Sequence, residues 1–480
     1  MKKLISIAIL LTMLLASCGE AAQTPAGTAD SAGTDAALPE TEAETEDTYI
    51  HDSLPDADLD GYNFRIGTSE FGGKHLNEYV IFEELTGNPV DDELYNAKLY
   101  VENRLNCNIS VIDYGTIEGT RDAVKKSVNA GDDAMDIQIG HDHHTGDLAK
   151  GGYLYNIRSI EQFDFDKPWW PKFAIDQLTV CNRMYVCSSY ISYCGLSYER
   201  VLTVNKTLAE AYGRELPYNT VRDGKWTLDA MFEFIADTAA DLDGNGKMTV
   251  DDQVGFTSGN QTEYCLQEAL DCSVYHKDEN DVPTLDFNME KLNKMVEKTR
   301  WLFKDSGLYV EDADYGQNMF RGGRALLAYT QITNAYNDYR QSDVIYGFLP
   351  SPKLDELQED YINCCTDTPW AIPLNASHPE EIGYVVEALS CYNYNNVIPA
   401  YFDVAVKTRL ADSPDDAEML QIIADTRTIG FAYFYSMPFN NIISDLKSGK
   451  KELASYIEKG TKSATKNLDK LITAFEAMDA

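Results

Sequence analysis

Tyr62-Asn63-Phe64-Arg65-Ile66-Gly67-Thr68 alternates apolar and polar side chains, the period of a strand. Asn88-Pro89 then supplies an N-cap followed by proline at the first helical position. The segment 90–105 sets Leu94, Ala97, Val101 and Leu105 on one face, with acids at its start and Arg104 at its end. Cys107 to Asp113 reads as a second strand, 119–130 as a second helix stopped at Gly131, and Met135 to Gly140 as a third strand. Three strands alternating with two helices predict a parallel βαβαβ unit with right-handed crossovers. Ligands of such sheets bind outside the carboxyl ends of the strands. That rule brings Ser69-Glu70-Phe71 and His141-Asp142-His143-His144 to a crevice.

Ahead of this unit, residues 1–17 carry Lys2 and Lys3 and then an apolar run from Leu4 to Leu15. The run is too short to span a hydrocarbon core of about 30 Å once mature, and it reads as a signal peptide. Leu15-Ala16-Ser17-Cys18 resembles the lipobox of bacterial lipoproteins, which implies cleavage before Cys18 and acylation of its thiol. Residues 18–57 are small, polar and acidic, with no Lys or Arg between Lys3 and Arg65. Such a segment predicts a disordered spacer between anchor and body. The expected location is the outer face of the cell membrane, with the lipid anchor as the sole membrane contact.

The whole chain has 480 residues, 40 Lys+Arg against 78 Asp+Glu, and a net charge of −38. At about 150 residues per domain this length predicts two or three compact units. The acidity makes nucleic acid an unsuitable partner and favours a neutral or cationic ligand, or a metal. Besides Cys18 there are nine cysteines, so one thiol stays free whatever the pairing. Cys181–Cys187 and Cys265–Cys272 are pairings that an oxidising compartment would allow, and burial as small apolar side chains is the alternative.

Further along, Val201-Leu202-Thr203-Val204 reads as a strand, and Asn205-Lys206 opens a helical segment that ends near Gly213. Thr227 caps a helix over 228–240, with Trp226 and Met231 as a hydrophobic staple and Leu228, Met231, Phe232, Ile235 and Ala239 as the buried stripe. The series Asn205-Lys206, Gly213, Pro217, Trp226-Thr227-Leu228 resembles a stretch of the extracellular solute-binding proteins of carbohydrate ABC importers, the maltodextrin-binding-like family. Further resemblances follow in the family's order: Met135-Asp136-Ile137 through Gly151-Gly152-Tyr153-Leu154, Asp241 to Phe256, Phe320 to Leu326, Tyr346-Gly347-Phe348-Leu349-Pro350, and Trp370-Ala371-Ile372-Pro373 before a helix at 379–390. Val204 departs from the family's aromatic before Asn-Lys, and about seven residues are inserted between Pro217 and Trp226.

The resemblance implies an α/β, two-lobed, periplasmic-binding-protein-like fold with a hinge and an interlobe cleft. Lobe one is then expected over 58–201 plus 347–376, and lobe two over 202–346 plus 377–480. The implied function is capture of a carbohydrate, expected to be an oligosaccharide, by a monomer that hands it to the transmembrane subunits of an ABC permease. By family position the ligand-binding candidates are Glu70, Asp142, His143, Tyr198, Tyr329, Gln331, Trp370 and Tyr433. The 30 Tyr, 18 Phe and 5 Trp suit a sugar's C–H faces, while polar side chains meet its hydroxyls. Trp169, Trp170 and Trp301 read as packing residues.

Two motifs invite a metal. Asp241, Asp243, Asn245, Thr249 and Asp252 fall at positions 1, 3, 5, 9 and 12 of a calcium loop, with Gly246 at position 6 and the Lys247 carbonyl at position 7. A structural Ca2+ is expected there, although no leaving helix follows; an Asp-rich turn without metal is the alternative. His141-Asp142-His143-His144 has no second His or Cys segment to complete a zinc site. No G-x-S-x-G, H-E-x-x-H, Walker or G-x-G-x-x-G motif occurs, so no catalytic residue is expected. A surface-anchored glycan-processing enzyme and a non-transport sugar-sensing or adhesive module are the rival readings.

Overall fold

The computed structural model describes residues 49–71, 74–259, 262–314, 316–339, 342–366, 368–402 and 413–477. The signal peptide, the acylated Cys18 and the linker as far as residue 48 lie outside the described residues. Nine strands form the two main sheets: β1 (Tyr62–Thr68), β2 (Cys107–Asp113), β3 (Ile137–Ile139), β4 (Arg200–Asn205), β5 (Val254–Ser258), β6 (Tyr309–Glu311), β7 (Ala325–Gln331), β8 (Tyr346–Leu349) and β9 (Trp370–Ala371).

In the first sheet β1 lies between β2 and β3, parallel to both, with Phe64 opposite Ile109 and Ile66 opposite Val111 and Ile137. This is the expected βαβαβ unit. Its first helix, Pro89–Leu105, starts at Asn88, whose side chain accepts from the Val90 N–H, and it buries Leu94, Ala97, Val101 and Leu105. The second, Gly119–Ala130, ends where Gly131 turns left-handed at φ 68°. β9 closes the sheet antiparallel to β3, with Trp370 opposite Ile139.

The second sheet runs β6-β5-β7-β4-β8. β5, β6 and β7 are parallel, whereas β4 is antiparallel to both β7 and β8. Every residue of β4 and β7 is buried, as strands covered on both faces require. The helix after Thr227 runs from Leu228 to Ile235 and stops five residues short of the expected 240, because Asp237 takes a left-handed φ of 59°. Phe234 replaces Phe232 in its buried stripe, and the Phe232 ring packs on the half-exposed Trp301 at 4.6 Å.

Several pairings differ from the expected lobe boundaries. β8, assigned by resemblance to the first lobe from residue 347, hydrogen-bonds to β4 in the second sheet. Helix Pro379–Tyr392, assigned to the second lobe, packs on helix Pro89–Leu105 and β1 of the first sheet. Its Glu387 reaches Trp169 and Trp170, whose indole N–H groups are its hydrogen-bond partners among the described residues. The expected spacer also ends early. Asp52 is bound by Arg104, Nη2 to Oδ1 2.8 Å, and burial that would raise its carboxyl is outweighed by that guanidinium, which holds it low.

All nine cysteines of the described residues are buried, and neither Cys181–Cys187 nor Cys265–Cys272 is bridged. No described helix is long and apolar enough to cross a membrane. Two segments join the sheets. Cys187 and Trp370 exchange backbone hydrogen bonds of 3.0 Å, and Glu199 bridges Cys365, so 180–199 and 350–370 run side by side between the halves.

Candidate functional site

The segment Phe431–Ser436 meets elements that follow strands of both parallel sets, through Tyr433 on His143 and on Tyr264. On the first side, β3 ends at Ile139 and feeds helix Asp142–Lys150. His141 and Asp142 pair at 2.8 Å. Burial raises the Asp142 carboxyl, but the His141 imidazole holds it below the usual carboxylate range; Asp142 in turn outweighs burial and raises His141. His144 is depressed by burial and by Arg121, whose Nη1 lies 3.0 Å from the His144 Nδ1. The result is a polar loop with one buried negative charge held against imidazole.

On the second side, β5 ends at Ser258 ahead of helix Glu263–Ala269. Tyr264 is fully buried on that helix and stacks on Tyr433, centroids 3.5 Å apart and planes 3° apart. The other neighbour of the Tyr433 ring is His143, at 4.1 Å, and Ser436 Oγ lies 3.3 Å from the His143 Nδ1. A Cβ at Gly146 would stand 2.3 Å from the Phe434 carbonyl oxygen, so helix Asp142–Lys150 touches the backbone of 431–434 only because a glycine faces it. Of the expected ligand residues, Asp142, His143 and Tyr433 thus come together.

The others are dispersed. Glu70 is exposed on a two-residue strand, its N–H bound to the Gly115 carbonyl at 2.7 Å. Tyr198 meets Tyr79 hydroxyl to hydroxyl at 3.1 Å. Gln331 ends β7 and donates to Thr366 at 3.3 Å. Tyr329 is buried, its hydroxyl 3.1 Å from Ser351 Oγ, beneath the cleft rather than in it. Trp370 departs from expectation: it is 1% exposed, its indole N–H donates to Ser189 at 3.1 Å, and Phe163 and Trp170 pack against its ring. Both of its faces are occupied by protein, so no sugar stacks on it.

Sequence reasoning missed Tyr264 and Arg200. Both stand at the same edge of the second sheet, and the signal that finds them is cross-strand register, with Arg200 opposite Gln331. It also missed a small pocket lined by Phe173, Ser188, Tyr190, Ser192, Cys365 and Arg427, where the guanidinium of Arg427 lies 5.0 Å from the Phe173 ring and 5.5 Å from that of Tyr190.

The Asp-rich loop is separate from this cleft. Asp241 accepts from the Gly244 and Gly246 N–H groups at 2.7 Å each, and Asp243 accepts from the Asn245 N–H at 2.9 Å. Gly244 and Gly246 turn left-handed at 72° and 76°. Asp252 receives the N–H of Leu242 and of Thr249, and those donors lower its carboxyl. The carboxylates of Asp241, Asp243 and Asp252 offer oxygens within 4.8 Å of one another, a donor set suited to a hard cation.

The pattern of the family described as bacterial extracellular solute-binding protein matches residues 99–383. No curated protein sequence matches the chain. An ABC substrate-binding protein from Listeria monocytogenes, solved with cycloalternan, is similar at TM-score 0.54 and 13% identity over 85% of this chain and 100% of that one. The GacH receptor of Streptomyces glaucescens, solved unliganded and with acarbose, is similar at 0.53 and 13% over 85% and 99%. UgpB from Mycobacterium tuberculosis, solved with glycerophosphocholine, is similar at 0.52 and 15% over 82% and 98%. At such identities the likeness is one of fold, the two-lobed α/β architecture. The family match spans more than half the sequence: the chain belongs to the bacterial extracellular solute-binding proteins, which bind their solutes and are not enzymes.

Proposed function

We propose that this protein captures a carbohydrate, an oligosaccharide by preference, between its two sheets and delivers it to the transmembrane subunits of an ABC permease. The observation that carries this reading is the cluster of Tyr264, Tyr433, His143 and Asp142, aromatic rings and hydrogen-bonding groups brought together from elements that follow the strands of both parallel sets. Similar folds were solved with cycloalternan and acarbose, both of which are saccharides. Closure of the halves around the guest is the signal of occupancy, since a ligand shifts an equilibrium only by its differential affinity for the two states.

Two further elements belong to the proposal. Cys18 carries lipid and tethers the monomer outside the cell, on the strength of Leu15-Ala16-Ser17-Cys18 behind a short apolar run. Ca2+ fills the loop from Asp241 to Asp252 through Asp241, Asp243, Asn245, the Lys247 carbonyl, Thr249 and Asp252, bracing a surface loop remote from the cleft.

The test is a thermal-shift and calorimetric screen of the mature protein against mono- and oligosaccharides. A guest that binds only the native state raises the midpoint, and above its Kd the rise grows with the logarithm of its concentration. A midpoint unmoved by every saccharide, acidic or neutral, refutes the reading.

A further inference from the structure

We infer that the guest carries an anionic group, a carboxylate or a phosphate on a saccharide, and that Arg200 receives it. This rests on the saccharide reading above. Arg200 opens β4 at the carboxyl edge of the second sheet, cross-strand from Gln331. It is 4% exposed, and its Nε and Nη1 are buried without a hydrogen-bond partner. Among the described residues no carboxylate lies within ion-pair distance of it. Its polar company is the Cys265 thiol and the hydroxyls of Tyr264 and Tyr329. Glu263, beside Tyr264 in the chain, is engaged by Lys447 instead.

A buried charge without a counter-charge weakens the native state, and an apolar side chain of similar volume would pack there at less cost. Against that burial the fold sets only a thiol and two phenol hydroxyls, which outweigh it and keep the guanidinium charged but offer no carboxylate. The Cys265 thiol is a soft partner: burial raises it, while a hydrogen bond from Cys364 and the charge of Arg200 bring it below its ordinary value. A thiol satisfies one nitrogen at most, and two remain. A guanidinium is a planar fork of donors suited to carboxylate and phosphate.

Its place in the cleft supports the same conclusion. The Tyr264 ring beside Arg200 is the one on which Tyr433 stacks, and Tyr433 faces His143. With Tyr264 and Tyr433 stacked on one another and His143 packed on Tyr433, these rings open to a guest only when the halves part, and a sugar entering there would bring a charged substituent toward Arg200. The net charge of −38 opposes an anion at long range, but that field is screened beyond a Debye length of about 8–10 Å, whereas Arg200 acts on contact.

The experiment is calorimetric titration of the mature protein with galacturonate, glucuronate and mannuronate disaccharides, with hexose 1-phosphates, and with neutral disaccharides of the same linkages. The expected result is that one acidic probe binds at least tenfold more tightly than its neutral counterpart. The uronate and phosphate arms tell which anion is meant. Arg200→Gln should abolish that preference while leaving the midpoint of the ligand-free protein equal to or above the parent's, since an unpaired charge is removed. Arg200→Lys, which keeps the charge but not the fork, should retain only part of the preference, and it serves if the Gln variant does not fold. Equal affinity for acidic and neutral sugars, unchanged in Arg200→Gln or Arg200→Lys, overturns the inference and leaves the saccharide reading standing. Failure to bind any saccharide overturns both.

Discussion

Glu387→Gln should reverse sign with pH. Glu387 is fully buried on helix Pro379–Tyr392, where its two oxygens accept the indole N–H groups of Trp169 and Trp170 at 3.0 Å each. Burial raises the carboxyl, the two indoles lower it, and the balance is pushed up to about 8 from 4.5. Because the folded pKa exceeds the unfolded one, the folded state holds the proton longer. The contribution is complete below about pH 4.5 and is lost as pH rises through about 8. At 1.36 kcal/mol per pH unit that loss is about 5 kcal/mol across the window. Glutamine has one oxygen, so one indole N–H loses its partner at a cost of about 2 kcal/mol. The variant should be less stable than the parent at pH 5, equal near pH 6, and more stable at pH 8 by about 2–3 kcal/mol. For a folded unit of about 430 residues melting together, this corresponds to about 2–3 °C in Tm at pH 8 and about 1–2 °C in the opposite sense at pH 5. Differential scanning calorimetry of parent and variant between pH 5 and 8 measures it. A Tm difference that is independent of pH would refute the assignment of a protonated Glu387.

Tyr433→Ala should weaken saccharide binding by about 10–30-fold in Kd by calorimetry, with circular dichroism unchanged, because the ring both stacks on Tyr264 and meets His143. Chelation should lower Tm by about 2 °C if the Asp241 loop binds Ca2+ with the roughly 0.1–1 mM affinity of extracellular modules, and Asp241→Ala should remove that dependence; equal Tm with and without chelator counts against the metal. Cys18→Ser should shift the protein from the membrane fraction to the medium on cell fractionation, and membrane retention of the variant argues against acylation. Gly146→Ala should lower Tm, because its Cβ would stand 2.3 Å from the Phe434 carbonyl oxygen, a backbone clash that outweighs the roughly 1 kcal/mol that alanine gains in a helix; an unchanged Tm counts against that contact.

What was legible in the sequence was whatever local periodicity controls. β1 and β2, the two helices between the first three strands, the caps at Asn88 and Thr227, and the helix that opens at Asn205-Lys206 all emerged where side-chain spacing required. The lobe boundaries did not. Tyr346–Leu349 is an apolar run with no local mark of which sheet it joins, and its pairing with β4 is a choice made between segments far apart in the chain. The early end of helix Leu228–Ile235 shows the same limit from the other side, since the left-handed Asp237 leaves no trace in the apolar stripe that continues past it.

The candidate site divides along the same line. Topology determines where an edge lies, so the loops after β1 and β3 could be named from the order of elements, while Asp142 and His143 were picked out within them by family position. Which aromatic faces that edge is a question of side-chain direction. Trp370 and Tyr433 are of the same type and come from comparable positions, yet Phe163 and Trp170 close over the first while the second meets an imidazole across the cleft. Arg200 is the extreme case. Ahead of Val201-Leu202-Thr203-Val204 it reads as a solvated strand end, and only the register with Gln331 buries it. Its significance rests on a missing counter-ion, a property of the folded surroundings and of no sequence pattern, so the charge sign of the guest is the last part of the function that a sequence can reveal.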